Sequence, residues 1–476
     1  MDVPVNSEFK QRNSIRMSCG WIVYAGLTTL FWVLVFSIPA RAAELQFECP
    51  AVEAAENSFM SLTQGKNGWF FRTGADLKDD FYLSEESRTY LQRLVNALEQ
   101  RDTKLIFLPV PTRGVIGSDY LSQEMDRQAY FRPVEAERAF HGLVNQLRST
   151  GMTVLNLLDY LAKENADDSQ AFFFKRDTHW TPEGARLAAQ AVGGALAELP
   201  VYQSLEKATY QSKVMSEQQI KHTMAQEIQR LCQAELPPEP YSFYETRQLA
   251  EGDSNADLFG SSEDIGSLVL LGTSFSAVTY FNFDGFLAES TGLEVANHAI
   301  SGGQLFNAMA SFTASPQFEE TDTRFMIWEA PAYSNFNRGS SSAFRQIIPA
   351  VYGPCTTDTA VASGIFAVSQ GESSGPFEVD PALAVSGNDY YLYLSTPNRA
   401  LAQFTVKIDY ADGDFEWFAI DRTERFPNWG RFFIEFSEDI ESTVSQIALS
   451  GLPQLSADLE AHICRAPTLV AERSQS

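Results

Sequence analysis

Over roughly the first three quarters of the chain, apolar positions fall into two alternating kinds of run. Ser84 to Glu99 and Val134 to Leu147 repeat their apolar residues at helical spacing, and Pro133 suits the first turn of the second run. Lys104 to Pro109 (KLIFLP), Thr153 to Leu157 (TVLNL), Ser267 to Leu271 (SLVLL) and Arg324 to Trp328 (RFMIW) are short apolar stretches that read as buried strands. A third helix opens at Thr181-Pro182, where threonine suits the N-cap and proline the first turn. Its alanine-rich body runs to about Glu198, and Pro200 stops it. Strands alternating with helices predict an α/β domain around a mostly parallel sheet over residues 43–350.

The pattern changes after Cys355. Apolar residues now alternate with polar ones in Asp389 to Leu394 (DYYLYL), Gln403 to Tyr410 (QFTVKIDY), Phe415 to Ile420 (FEWFAI) and Gly430 to Phe436 (GRFFIEF). Turn residues such as Asp412-Gly413-Asp414 and Pro427-Asn428 separate these runs, which predicts a β-sandwich over residues 351–476. No internal repeat is evident, and Asn337 to Ser342 and the tail after Leu469 read as loose.

The first residues belong to neither domain. Lys10, Arg12 and Arg16 precede an uncharged run from Gly20 to Ile38, and Ala40-Arg41-Ala42 then offers a small-x-small site. That order is a secretory signal peptide cleaved after Ala42, although the run is long enough to span a bilayer if retained. With no second long apolar run, the mature chain is expected to be soluble and to comprise two or three domains.

Cleavage removes Cys19 and leaves Cys49, Cys232, Cys355 and Cys464. An even number in an exported chain favours two disulfides, with three pairings open. Domains local in sequence favour Cys49 with Cys232 and Cys355 with Cys464. No Cys-x-x-Cys or His-x-x-x-His spacing points to zinc, so no metal or other cofactor is expected. The mature chain carries 31 Lys and Arg against 59 Asp and Glu. Such a surface opposes nucleic acid and other polyanions, and an anionic partner needs a local island of cations.

Two short stretches carry candidate chemistry. In Val269 to Val278 (VLLGTSFSAV) a strand runs through Gly272-Thr273 into Ser274, which a strand-to-helix turn would leave exposed with backbone N–H groups beside it. The motif is not Gly-x-Ser-x-Gly, because Ser276 stands where the last glycine would be, and alone it reads first as a helix N-cap after a strand. In Asp177-Thr178-His179, residues two apart on an extended segment share a side, so Asp177 can accept from Nδ1 of His179 while Nε2 faces a serine. Among the other histidines, His141 and His222 read as structural, His298 is the one rival base, and His462 has no evident partner.

Four stretches together resemble the SGNH-hydrolase-like polysaccharide O-acetyltransferases of alginate biosynthesis. They are Gly65 to Phe71 (GKNGWFF), Leu108 to Arg113 (LPVPTR), Asp177 to Trp180 (DTHW) and Gly272 to Ser276 (GTSFS). The β-rich C-terminal part resembles the carbohydrate-binding module of the periplasmic branch. The resemblance implies Ser274 as nucleophile, His179 as general base and then acid, and Asp177 as its orienting carboxylate. The Asp-x-His pair precedes the serine, a permuted order that this branch shares. Ser274 and Gly303, the latter in the Ser301 to Gln304 block (SGGQ), are the implied oxyanion donors. Arg113, Trp180, Tyr280 and Tyr333 are expected to contact sugar, and Lys407, Trp417, Arg422 and Arg425, with Trp429 and Arg431 nearby, to hold an anionic polymer. The implied partners are alginate or a related exopolysaccharide, an acetyl-donor protein and the export complex. An acetyl esterase and a non-catalytic glycan-binding scaffold are the alternative functions.

Overall fold

The computed structural model describes residues 49, 51, 61–122, 130–164, 172–221, 223–249, 267–422 and 426–467. The expected signal peptide, His222, Arg425 and the tail after Leu469 lie outside the described residues.

A short hairpin of β1 (Leu62–Gln64) and β2 (Phe70–Arg72) precedes β3 (Lys104–Val110) and β4 (Thr153–Val154). A separate antiparallel hairpin pairs β5 (Tyr210–Ile220) with β6 (Glu239–Gln248). The chain then supplies β7 (Ser267–Leu271), β8 (Glu294–Asn297) and β9 (Phe325–Pro331). Strands β4-β3-β9-β7-β8, in that spatial order, form one sheet in which every pair is parallel. All of β9 is buried, as a central strand covered on both faces requires.

The helices form where the apolar spacing and caps coincide. Ser84 accepts from the Ser87 N–H to start the Glu85–Glu99 helix, and Glu85 and Glu86 complement its dipole. That helix buries Leu91, Leu94 and Leu98 completely, which stabilises it by about 2 kcal/mol per side chain. Thr181 caps the Pro182–Ala197 helix by accepting from the Gly184 N–H at 3.1 Å. A Cβ on Gly184 would lie 2.2 Å from the Phe172 carbonyl oxygen, so only glycine lets this helix seat against the chain before it.

The C-terminal strands are antiparallel: β10 (Ala362–Ser369), β11 (Glu372–Ser373), β12 (Phe377–Glu378), β13 (Tyr390–Ser395), β14 (Gln403–Tyr410), β15 (Phe415–Asp421), β16 (Arg431–Glu435), β17 (Val444–Ser450) and β18 (Ala457–Arg465). They form two sheets, β11-β10-β18-β13-β16 and β12-β17-β14-β15. Alternate residues Phe404, Val406, Ile408 and Tyr410 of β14 turn inward and share one apolar core with Leu392, Leu394, Phe432 and Ile434.

Polar and apolar contacts join the sandwich to the α/β part. Tyr391, Tyr393 and Phe433 pack with Ala314 and Ala350, and Arg345 of the Ser340–Tyr352 helix pairs with Glu416 at 2.8 Å and donates to the Glu435 carbonyl. The disulfides are Cys49–Cys232 and Cys355–Cys464. The second closes a separation of 109 residues beside that joint. Replacing both Cys355 and Cys464 with serine is expected to lower unfolding free energy by about 4 kcal/mol, through the freed denatured chain. Urea denaturation checks this as a lower midpoint.

Three local departures from the sequence pattern have physical reasons. TVLNL gives only two strand residues, because the Asn156 side chain accepts from the N–H groups of Leu158 and Asp159 and caps a helix, Leu157–Lys163. The β5–β6 hairpin has no clean alternation, since most of its residues are half-exposed or exposed. The stretch Asn337 to Ser342 is tied down. Asn337 Oδ1 accepts from Ser84 N–H at 2.8 Å, and the helix beyond Gly339 starts at Ser340.

Candidate active site

The C-terminal ends of β7 and β9 open on a cleft of about 1110 Å³. The site follows from two turns. At the first, β7 passes through Gly272 and Thr273 into a one-turn helix, Ser274–Ala277, whose first residue is Ser274. Thr273 caps that helix, its hydroxyl accepting from the Phe275 N–H at 3.3 Å, while the first-turn N–H of Ser274 needs no partner within the helix.

At the second turn, the loop before the Pro182–Ala197 helix is closed by a bridge between Phe173 and Trp180 and by the Thr181 N–H donating to Phe172 O at 2.9 Å. Inside this loop, Asp177 Oδ1 accepts from the backbone N–H of His179 at 2.9 Å and from its Nδ1 at 2.5 Å. The two side chains thus meet across a turn closed by the aspartate itself, rather than along the extended segment that the sequence suggests. Asp177 Oδ2 accepts from Thr223 N–H at 3.2 Å. His179 Nε2 lies 2.7 Å from Ser274 Oγ, and its ring is flanked by Phe275 and Phe281 at centroid distances of 4.9 and 5.3 Å.

A hydroxyl, an imidazole and a buried carboxylate are therefore in one hydrogen-bonded line. With the proton on Nδ1 held by Asp177, Nε2 is free to accept from Ser274. Asp177 is 2% exposed, so its charge acts on the ring with little screening by water.

The remaining candidates separate clearly. Tyr280 and Tyr333 line the cleft with the three residues above. Burial, then the Asp177 charge, raises the Tyr280 phenol, keeping it a neutral donor. Burial also raises Tyr333, whose ring lies 4.6 Å from the Arg72 guanidinium carbon. Arg113 and Trp180 correct the expectation of sugar contact, because both are buried inside the scaffold. Arg113 pairs with Asp76 at 3.3 Å and donates to the carbonyls of Phe70, Phe174 and Lys175, joining the first two motifs to the loop that carries Asp177. The indole N–H of Trp180 donates to Phe275 O at 3.0 Å, joining that loop to the serine helix.

Gly303 is a second correction. It is buried, and its N–H is spent on Ile300 O at 2.9 Å, so it is not available to an oxyanion. Its neighbours Ser301, Gly302 and Gln304 face the cleft instead, the last two at φ +73 and +58. The rival base His298 packs its half-buried ring 4.6 Å from that of Phe312, and burial lowers its pKa. His462, without an evident partner in sequence, has one in Ser363 Oγ at 2.9 Å.

On the sandwich, Lys407 and Trp417 share an outer face of β14 and β15. The Lys407 ammonium lies 5.7 Å from the Trp417 ring and 5.3 Å from that of Phe415, and it pairs with Asp409 at 2.6 Å. Phe415 and Trp417 are both more than half exposed, and Phe415 was not among the expected contacts. Arg422 corrects the expectation of a polymer cation, being buried at the joint, over the Phe426 ring and donating to Gln346 Oε1 at 2.5 Å. Trp429 and Arg431 are spent on the same joint, against Ser311 and Glu319.

Sequence reasoning also missed Glu329. This fully buried carboxyl lies in β9 and contacts the serine turn, and burial pushes its pKa up to about 7. The available signal was a lone acid inside the otherwise apolar strand FMIWEAP.

Among the described residues, no group of three or more His, Cys, Asp or Glu is placed to hold a metal ion, and no helix is long and apolar enough to cross a membrane. The alginate biosynthesis protein AlgX of Pseudomonas aeruginosa is 26% identical over 422 residues, which is 87% of this chain and 86% of that protein. The probable alginate O-acetylase AlgJ of the same species is 24% identical over 284 residues, covering 56% of this chain and 68% of that one. The solved structure of P. aeruginosa AlgX superposes with a TM-score of 0.76 at 24% identity, over 88% of this chain and 100% of that chain, so the fold is shared. A family model described as the SGNH hydrolase-like domain of acetyltransferase AlgX matches residues 62–332, more than half of the sequence, and the chain belongs to that family of acetyltransferases.

Proposed function

We propose that the protein O-acetylates alginate in the periplasm, passing the acetyl group through Ser274. The observation that carries this reading is the continuous line from Asp177 through His179 to Ser274 at the floor of an open cleft. In the first half-reaction Ser274 Oγ attacks the donor's acetyl carbonyl while His179 Nε2 takes the hydroxyl proton. The tetrahedral intermediate collapses, and that proton leaves with the donor's departing group. In the second half-reaction a sugar hydroxyl gives its proton to Nε2 and attacks the acetyl-serine, and Ser274 leaves as it recovers that proton. Asp177 stabilises the imidazolium formed in each half, and the first N–H of the Ser274 helix is the natural donor to the oxyanion.

Transfer outruns hydrolysis only where the sugar is held close. Tyr280 and Tyr333 offer phenols to hydroxyls, and Arg338, a cleft residue, offers a cation to a uronate carboxylate in a strongly acidic chain. The face of Lys407, Phe415 and Trp417 suits a second grip on the polymer, which raises its concentration near the serine. This reading assigns residues 1–42 to a cleaved signal peptide, residues 43–350 to transfer and residues 351–476 to polymer binding. An acetyl-donor protein and an export complex are its proposed partners.

The test supplies an activated acetyl ester with and without mannuronate oligomers. Acetylated oligomer is expected, with sugar-dependent turnover several-fold above the hydrolysis background. Acetate release indifferent to the sugar, with no acetylated oligomer, identifies an esterase instead.

A further inference from the structure

Directly behind the serine turn, Glu329 brings both carboxyl oxygens against it. Oε2 accepts from the Thr273 N–H at 2.8 Å and from Ser276 Oγ at 2.9 Å, and Oε1 accepts from Thr273 Oγ1 at 3.0 Å. These three donors come from Thr273, just before Ser274, and Ser276, two residues after it. The Thr273 hydroxyl that donates to Glu329 also accepts from the Phe275 N–H, so the carboxyl fixes the helix cap as well. Gly272 makes room for it. A Cβ there would lie 2.5 Å from Glu329 Oε2 and 2.8 Å from Ser276 Oγ, so the glycine of the Gly-Thr-Ser motif serves as the slot through which the carboxyl reaches the turn.

A carboxyl with no exposed surface is costly to bury, and a glutamate in a central strand could be replaced by an apolar residue at no loss to the sheet. Its contacts account for its presence. The one-turn helix is too short to hold its own geometry, since it closes few intrahelical bonds, and Ser274 Oγ has to sit within hydrogen-bonding reach of His179. Glu329 ties the turn to β9, which is hydrogen-bonded on both sides to β3 and β7.

We propose that Glu329 is a positioning residue for acetyl transfer: it acts through Thr273 and Ser276 to hold Ser274 at its distance from His179. The inference rests on Ser274 being the nucleophile. That premise fails separately, through wild-type activity in Ser274→Ala.

The test compares Glu329→Ala, Glu329→Gln and wild type in the mature chain, using an activated acetyl ester and mannuronate oligomers. Glutamine keeps an acceptor for the Thr273 N–H and the Ser276 hydroxyl, and its amide can donate to Thr273 Oγ1. It is expected to retain kcat within about fivefold of wild type, because the turn keeps its contacts while the charge is lost and the bond to Thr273 Oγ1 reverses. Alanine releases the turn, and kcat is expected to fall about 100-fold with KM unchanged, the scale of a small misplacement of a reacting group. A folded alanine variant with kcat within threefold of wild type overturns the proposal. So does a folded glutamine variant as impaired as the alanine one, because charge rather than positioning would then be the cause. If the alanine variant does not fold, the Thr273→Val, Ser276→Ala double variant carries the test. It keeps Glu329 but removes both hydroxyl contacts. A kcat at least tenfold below wild type supports the proposal, and an unchanged kcat overturns it.

Discussion

Ser274→Ala is expected to lower acetyl transfer to alginate oligomers by at least about 10⁴-fold, leaving the background that binding and oxyanion stabilisation alone provide. The size follows from covalent catalysis: without Oγ there is no acetyl-enzyme, and donor and sugar would have to react directly in an open cleft. Stability should hardly change. The hydroxyl is only partly buried, and its hydrogen bond is to His179, which keeps its bonds to Asp177. Oligomer binding to the sandwich should be unaltered, since Lys407, Phe415 and Trp417 belong to other strands. Kinetics, thermal unfolding and oligomer binding measured on one preparation check all three statements. Undiminished acetylation in the variant would mean a glycan-binding scaffold with the chemistry elsewhere.

Asp177→Asn is the second large effect, a fall in kcat of about 10³- to 10⁴-fold at little-changed KM. Asp177 Oδ1 accepts twice from His179, and Oδ2 accepts from Thr223 N–H. An asparagine has one oxygen for donors that Asp177 meets with two, and with that oxygen on the Thr223 N–H its amide N–H groups turn toward the ring. Nδ1 must then lose its proton to accept, which places the proton on Nε2, and an N–H there cannot take the proton of Ser274. The carboxylate charge that stabilises the imidazolium is lost as well. Steady-state kinetics with the activated ester separate this from misfolding, because KM and the unfolding temperature should stay near wild type.

These residues were legible because their chemistry is local in sequence. An Asp-x-His ahead of a Thr-Pro helix start and a serine after a strand-ending glycine each announce a turn. The serine turn follows β7 at one end of the parallel sheet, and Arg113, just beyond β3, holds the loop of Asp177 by the carbonyls of Phe174 and Lys175. The sandwich was equally plain, since β14 alternates strictly between buried positions and exposed or half-exposed ones.

What the sequence hid is what depends on partners far along the chain. Arg113 looks like a sugar contact until Asp76 and three carbonyls enclose it. Arg422 looks like a surface cation until Phe426 and Gln346 cover it at a joint that no single segment encodes. Gly303 sits in a glycine pair of which only Gly302 faces the cleft, and pattern alone does not distinguish the two. Glu329 broke the apolar rule of its strand, but its reason, the serine turn, lies 53 to 56 residues earlier.

The most direct test of the account is to mix the protein with an acetyl donor in the absence of sugar, quench in acid, and map the modified peptide by mass spectrometry. A single acetyl group on Ser274, which disappears on adding mannuronate oligomer as acetylated oligomer appears in matching amount, is the predicted result. Acetylated oligomer formed while Ser274 stays unmodified at every time sampled would contradict it.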